Sequence, residues 1–192
     1  MNNKQPDWQE IIQKGSPRAN DPKLSIDDCK MLWQSLLAIE AKFIIEIGAF
    51  RGTSSMILGL AAQRAAGQVW SVEARPRREW FDNIKEMGLE RIVTLVKGCS
   101  PAVHIDLPGP IDFLFIDGDH QTRSVLRDYY YWSHFVRVGG FIAFHDIYGP
   151  PSPKVNRAIE MILNDGSFCL KEIVRCPVSP ICGTVIFEKV KL

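Results

Sequence analysis

Phe43-Ile44-Ile45-Glu46-Ile47-Gly48-Ala49-Phe50-Arg51-Gly52-Thr53-Ser54 is the stretch that decides the fold. The apolar run at 43–45 reads as a buried parallel strand. It ends in an acid and a glycine, Glu46 and Gly48, and a second glycine, Gly52, follows four residues later. Thr53-Ser54 then opens an amphipathic helix carrying Met56, Ile57, Leu58, Leu60 and Ala61. Strand, glycine turn and helix start are the parts of a nucleotide site in an α/β sheet. Glycine brings backbone close to a ligand, and the helix start offers N–H groups to a carboxylate or phosphate. The same parts also serve a turn that only packs helix on sheet. The spacing is Gly-x-x-x-Gly, not the Gly-x-Gly-x-x-Gly of dinucleotide enzymes. An acid two positions before the first glycine repels a pyrophosphate but suits an ammonium group.

Outward from this segment, strand and helix patterns alternate. Strands are expected at about 42–48, 68–73, 91–97, 111–117 and 141–146. Helices are expected at about 53–65, 77–87, 121–136 and 155–163, the long one stopping before Gly139-Gly140. A short helical turn should follow Gly98-Cys99-Ser100. Five such units in series imply a parallel sheet with helices on both faces. Two β-rich runs, 168–174 and 184–190, close the chain as an antiparallel hairpin. Before the sheet, Ser25 with Asp27-Asp28 starts a helix carrying Leu32, Trp33 and Leu36. Residues 1–24, polar and containing Pro6, Pro17 and Pro22, read as an arm, and 25–192 as one domain.

Composition narrows the functional classes. The 192 residues are 46% hydrophobic, enough for a sizeable core, and carry a net charge of +1. That charge makes no case for nucleic acid or an anionic membrane as partner. No apolar run reaches the length of a membrane span, and the N-terminus has no apolar signal region. The five cysteines, Cys29, Cys99, Cys169, Cys176 and Cys182, lack CxxC spacing and read as free thiols of a cytoplasmic protein.

In a doubly wound sheet the ligands lie beyond the carboxyl ends of the strands. Here every such end is chemically rich: Glu46, Glu73, Gly98-Cys99-Ser100, Asp117-Gly118-Asp119-His120 and His145-Asp146. Glu73 closes strand two, where an acid can accept both ribose hydroxyls. Arg75 reads as a solvated loop charge. Ser100 before Pro101 is equally an ordinary helix cap, Asp119 can cap the helix near Gln121, and His145 can serve only to orient Asp146. Tyr129-Tyr130-Tyr131-Trp132 reads as a helix face laid on the sheet. His104 and His134 fall in helical patterns and carry no role.

The 43–54 segment resembles motif I of class I S-adenosylmethionine-dependent methyltransferases. The chain as a whole is similar to the catechol and caffeoyl-CoA type O-methyltransferases and their small bacterial relatives, some of which bear a cephalosporin-hydroxylase name. The resemblance covers roughly residues 25–190. It implies a Rossmann-like, doubly wound, seven-stranded, mostly parallel sheet of order 3-2-1-4-5-7-6. It implies a cofactor site built from Glu46, Gly48, Ala49, Phe50, Gly52, Ser54, Glu73, Ala74, Gly98, Cys99, Ser100 and Asp117. It also implies a divalent cation, Mg²⁺ or another, on Asp117, His145 and Asp146. His145 replaces the family's usual acid or amide, a departure that admits Mn²⁺, Fe²⁺ or Zn²⁺, or no metal. His120 stands where those enzymes carry a lysine base, so His120 and Asp117 are the expected catalytic pair. The implied reaction is O-methylation of a small-molecule hydroxyl, with a homodimer an admissible assembly. Two rivals stay open: a non-haem iron enzyme using His120, His145 and Asp117, and a non-catalytic nucleoside-binding module.

Overall fold

Residues 5–18, 24–147, 153–165, 170–175 and 183–191 are described by a computed structural model. Helices α1 (Trp8–Gly15) and α2 (Ile26–Ala38) precede β1 (Phe43–Ile47), α3 (Thr53–Arg64), β2 (Gln68–Glu73), α4 (Arg78–Glu86) and β3 (Val93–Lys97). Then come β4 (Ile111–Ile116), α5 (Thr122–Trp132), a 3-10 turn (Ser133–Phe135), β5 (Val136–Phe144), α6 (Pro153–Asp165), β6 (Leu170–Arg175) and β7 (Val185–Lys189). The strands form one seven-stranded sheet in the order β3-β2-β1-β4-β5-β7-β6. The first five are parallel, and β7 pairs antiparallel with both β5 and β6. The expected fold, strand order and hairpin are all present.

The period of two in the strands splits the core into two layers. Ile44, Phe113, Phe115, Ala143 and Ile186 face α1 to α4, while Ile45, Ile47, Leu114, Ile116, Ile142, Phe144, Val185 and Phe187 face α5 and α6. Helix α3 is buried nearly all round, from Ser54 to Gly59 and again at Ala61 and Ala62. It lies between the sheet and α2, so its expected polar face is absent. Helix α5 lays Val125, Asp128, Tyr129 and Trp132 inward and leaves Tyr131 exposed.

Three local expectations need correction. The polar N-terminal stretch contains α1, capped by Asp7, whose side chain accepts from the amides of Gln9 and Glu10. Trp8 and Ile11 are buried, and the Trp8 and Trp33 rings meet edge-on at 5.8 Å. Burying two such side chains contributes about 1.5–3 kcal/mol each. Second, the long helix ends at Trp132, not near 136, and Gly139-Gly140 lie inside β5. The buried Lys189 of β7 donates to the carbonyls of Ser133 and Val136, and so ends the helical run from across the sheet. Gly139 has φ +77°, and the β4–β5 register shifts between Ile111 and Phe113. The glycines form a bulge instead of a helix stop. Third, His104 is in a loop, and only a turn follows Ser100, with Ala102 N–H bonded to the Cys99 carbonyl.

The expected helix start at Ser25 is a reciprocal capping box with Asp28. Cys29 and Cys99 are free thiols, while Cys169, Cys176 and Cys182 lie outside the described residues, as does most of the Pro-rich loop at 149–153. Among the described residues no helix is long and apolar enough to cross a membrane.

Candidate active site

At the end of β1 the chain makes a tight crossing. Gly48 has φ +92°, and a Cβ on it would stand 2.2 Å from the Asp117 carbonyl oxygen. The β1 and β4 turns pack too closely for any side chain there, whatever the loop binds. Phe50 holds φ +44° and Gly52 φ +92°. A left-handed phenylalanine is a strained residue, and such strain gathers at functional sites.

Glu73, ending β2, reaches back over this loop. One oxygen accepts from the amides of Ala49 (3.2 Å) and Phe50 (2.9 Å), the other from Arg75 N–H (2.8 Å). Two arginines frame Phe50: the guanidinium carbons of Arg51, in the loop, and Arg77, just before α4, lie 4.8 and 5.6 Å from its ring centre. The Glu73 carboxylate stays partly exposed at the cleft.

Glu46 behaves differently from its expected role. It is fully buried, and its carboxylate accepts from the hydroxyls of Ser54, Ser55 (2.6 Å) and Ser71 (2.5 Å). Trp80 Nε1 extends the chain by donating to Ser55 Oγ at 3.0 Å. Burial pushes the Glu46 carboxyl up to about 7, against the pull of the three serines. The acid is enclosed beneath the loop, and Ser54, which bonds it, is itself buried.

Ser100, after β3, is tied from α5. Its hydroxyl accepts from Trp132 Nε1 at 2.8 Å; burial raises the nearby Asp128 carboxyl to about 6, against a downward pull from Ser100. Sequence reading missed Asp128, Trp132, Ser55, Ser71 and Trp80. One signal was available for Asp128: a charged residue on the otherwise apolar stripe Val125, Tyr129 and Trp132.

The ends of β4 and β5 bring the second group together. His120 Nε2 lies 2.9 Å from Asp146 Oδ2 and 3.7 Å from Asp117 Oδ1. Ligand atoms of Asp117, His120 and Asp146 all fall within 4.8 Å of one another. His145, nearly buried, turns Nδ1 onto Asp117 Oδ1 (3.1 Å) and Asp146 Oδ1 (3.5 Å) and stands behind that trio. The converging set therefore holds His120 where the sequence placed His145, and contains one imidazole, not two. Asp146 has φ +57°, a second strained non-glycine residue.

The charges are strongly coupled. Asp117 and Asp146 raise His120 to about 10, Asp146 being the nearer partner. Burial opposes ionisation of Asp146, but His120 and His145 hold it well below the usual carboxylate range. Asp119 accepts from the Gln121 amide (3.3 Å) and the Ser124 hydroxyl (2.7 Å) but from no backbone amide of α5, so it is not the cap expected of it; Gln121 holds the cap position. Two carboxylates and an imidazole facing a cleft make a donor set that fits a divalent first-row cation or Mg²⁺.

Known proteins share this fold. The family described as "Methyltransferase domain" matches residues 45–147, more than half of the chain and all of the strand ends just described. An O-methyltransferase from Bacillus cereus, solved with S-adenosylhomocysteine, is 20% identical over 96% of this chain and 90% of its own, with a TM-score of 0.74. The O-methyltransferase TomG from Streptomyces achromogenes, solved with S-adenosylmethionine, is 19% identical over 95% and 89% respectively, also with a TM-score of 0.74. At such identities the likeness concerns the fold. An uncharacterised protein of Acanthamoeba polyphaga mimivirus is 43% identical over 60 residues, 31% of this chain, and the match spans 27% of that relative's length. A family match across the loop of Gly48, the acid of β2 and the Asp117–Asp146 cluster settles the lineage: the chain belongs to the methyltransferase-domain family, whose S-adenosylmethionine-dependent members share this fold.

Proposed function

We propose that this protein transfers the methyl group of S-adenosylmethionine to a hydroxyl oxygen of a small molecule. The observation that supports it is the juxtaposition of two unlike half-sites at neighbouring strand ends. One is the strained glycine loop with Glu73 laid over it, and the other is the Asp117–His120–Asp146 cluster. Glu73 would take the ribose hydroxyls, and Gly98 to Ser100 would border the adenine. Ala49, Phe50 and Ala74 would line the loop side. Glu46 would act through the Ser54 hydroxyl on the methionine end instead of touching the ammonium group.

The cofactor supplies an activated methyl on a sulfonium, which an oxygen lone pair displaces as the carbon–sulfur bond breaks toward sulfur. The chain's part is to align the two reactants and take the acceptor's proton. With two carboxylates beside it, His120 carries its own proton through the neutral range, and in that state it cannot take the acceptor's. A divalent cation on Asp117, Asp146 and His120 would offset those carboxylates, displace the imidazole's proton, orient acceptor oxygens and make the acceptor hydroxyl more acidic. His145 would fix both carboxylates from behind.

Calorimetric titration with S-adenosylhomocysteine tests the cofactor half. Wild type should bind, and Glu73→Ala should bind about ten- to a hundredfold more weakly, the cost of losing a charge-assisted contact. Wild-type affinity in Glu73→Ala would remove the proposed role of that acid, and absence of binding to wild type would remove the reading itself.

A further inference from the structure

The loop after β1 turns through two left-handed residues, Phe50 (φ +44°) and Gly52 (φ +92°). Such a loop keeps its shape only where its surroundings hold it. Glu73 holds the first half, through the amides of Ala49 and Phe50. The second half is held from α4. Asn83, buried there, donates from its side-chain nitrogen to two carbonyls, Arg51 at 2.9 Å and Lys14 at 3.2 Å. A carbonyl can only accept, so the nitrogen must face both, and its two hydrogens are both committed. Arg51 stands between the two left-handed residues, and Lys14 is in the last turn of α1. One side chain therefore joins this loop to the first helix. We propose that Asn83 is a positioning residue that couples the cofactor loop to the docking of α1, so that cofactor binding and burial of α1 favour each other; this rests on the reading above in which the loop carries the cofactor.

The surrounding contacts agree. A Cβ on Gly15, the end of α1, would stand 3.0 Å from the Thr53 amide nitrogen, at the first residue of α3. Gly52 caps α3 without a side-chain hydrogen bond, so α1 packs where that helix start has no cap of its own. Lys14 Nζ meets Glu86 of α4 at 2.5 Å, an exposed pair that adds little by itself. An eight-residue helix is not stable alone, so α1 forms by docking, with Trp8 and Ile11 buried beneath it. Docked and undocked α1 are two states of one element, and only the docked state offers the Lys14 carbonyl to Asn83. A ligand that selects the held loop therefore selects docked α1. By linkage, docked α1 raises the affinity for that ligand by the same factor.

The test is hydrogen exchange of the whole chain with and without saturating S-adenosylhomocysteine, alongside calorimetric titration. In wild type the ligand should slow exchange of the Ile11 and Ser16 amides, which bond to the carbonyls of Asp7 and Ile12, by about fivefold or more. In Asn83→Ala the affinity should fall by about five- to tenfold, and the ligand should no longer slow exchange in α1. Trp8→Ala lies about 9 Å along the helix from Lys14, at 1.5 Å per residue. It should weaken binding by a similar factor, and it covers a failure of the first variant to fold. A merely structural Asn83 would destabilise the variant yet leave the slowing of α1 exchange intact, overturning the proposal. Unchanged affinity in both variants would overturn it too, as would wild-type binding with no change at α1, in each case with the cofactor reading intact. Absence of binding to wild type would sink the cofactor reading and this inference with it.

Discussion

A carboxyl held protonated toward neutrality inside a wall of hydroxyls gives Glu46 a measurable signature. Its acidity in the folded chain lies at about 7, above the ordinary carboxylate value of 4.5. The native state therefore keeps this proton over a range in which the unfolded chain has lost it. The contribution is fully present below pH 4.5, shrinks as pH rises and is gone above about 7. Glu46→Gln, which cannot ionise, should flatten that part of the profile. Wild-type melting temperature should fall relative to the variant between pH 5 and 7, and parallel profiles would mean that Glu46 titrates normally. At this scale the sequence was only half legible. Glu73, Asp117, His120 and Asp146 are legible because topology alone brings strand ends together, while Glu46, read the same way, is fully buried among serines. Ser55, Ser71, Trp80 and Asp128 are not legible, because their roles exist only once separate segments meet in space. The exchange of His145 for His120 in the converging set has the same cause: spacing fixes which residues reach the cleft, not which ring atom points into it.

Elements show the same division between what is local and what is tertiary. The βα alternation, the Ser25 cap and the closing hairpin follow from short-range pattern, so they were legible to within a few residues. Helix α1 has only eight residues, too few to announce itself without the surface it covers. The stop of α5 is imposed by Lys189, more than fifty residues further on. Both hidden elements bear on the site. Gly15 ends α1 against the first residue of α3, and a Cβ there would stand 1.8 Å from Thr53 Oγ1. Asn83 of α4 ties this junction by donating to the carbonyls of Lys14 (3.2 Å) and Arg51 (2.9 Å). Gly15→Val should therefore destabilise the fold by about 1–3 kcal/mol through overpacking. It should also weaken S-adenosylhomocysteine binding, because the start of α3 is pushed aside. A urea titration showing no loss would mean that α1 simply moves away. Gly48→Val should cost folding as well as binding, since the obstacle at 2.2 Å is backbone, which cannot rotate away.

For the whole molecule, the sheet keeps the two half-sites on separate pairs of strands: β1 and β2 for the proposed cofactor half, β4 and β5 for the acid–imidazole cluster. That separation makes them independently testable by linkage. A ligand binding only the native state at a hundred times its dissociation constant stabilises it by about 2.7 kcal/mol. For a chain of this size that raises the melting temperature by roughly 5–10 °C. S-adenosylhomocysteine should give such a shift in wild type and in Asp146→Asn, because the cofactor loop does not use that residue. Mg²⁺ or Mn²⁺ should give a second shift in wild type only, since Asp146→Asn removes a charged donor from the trio within 4.8 Å. The functional counterpart is methyl transfer to a diol acceptor, which a chelator should abolish and either cation restore. A metal shift that survives Asp146→Asn would place the cation elsewhere. Wild type with no metal shift, and turnover indifferent to chelator, would mean that Asp117 and Asp146 serve instead to hold His120 protonated and aimed at the acceptor, without a cation between them.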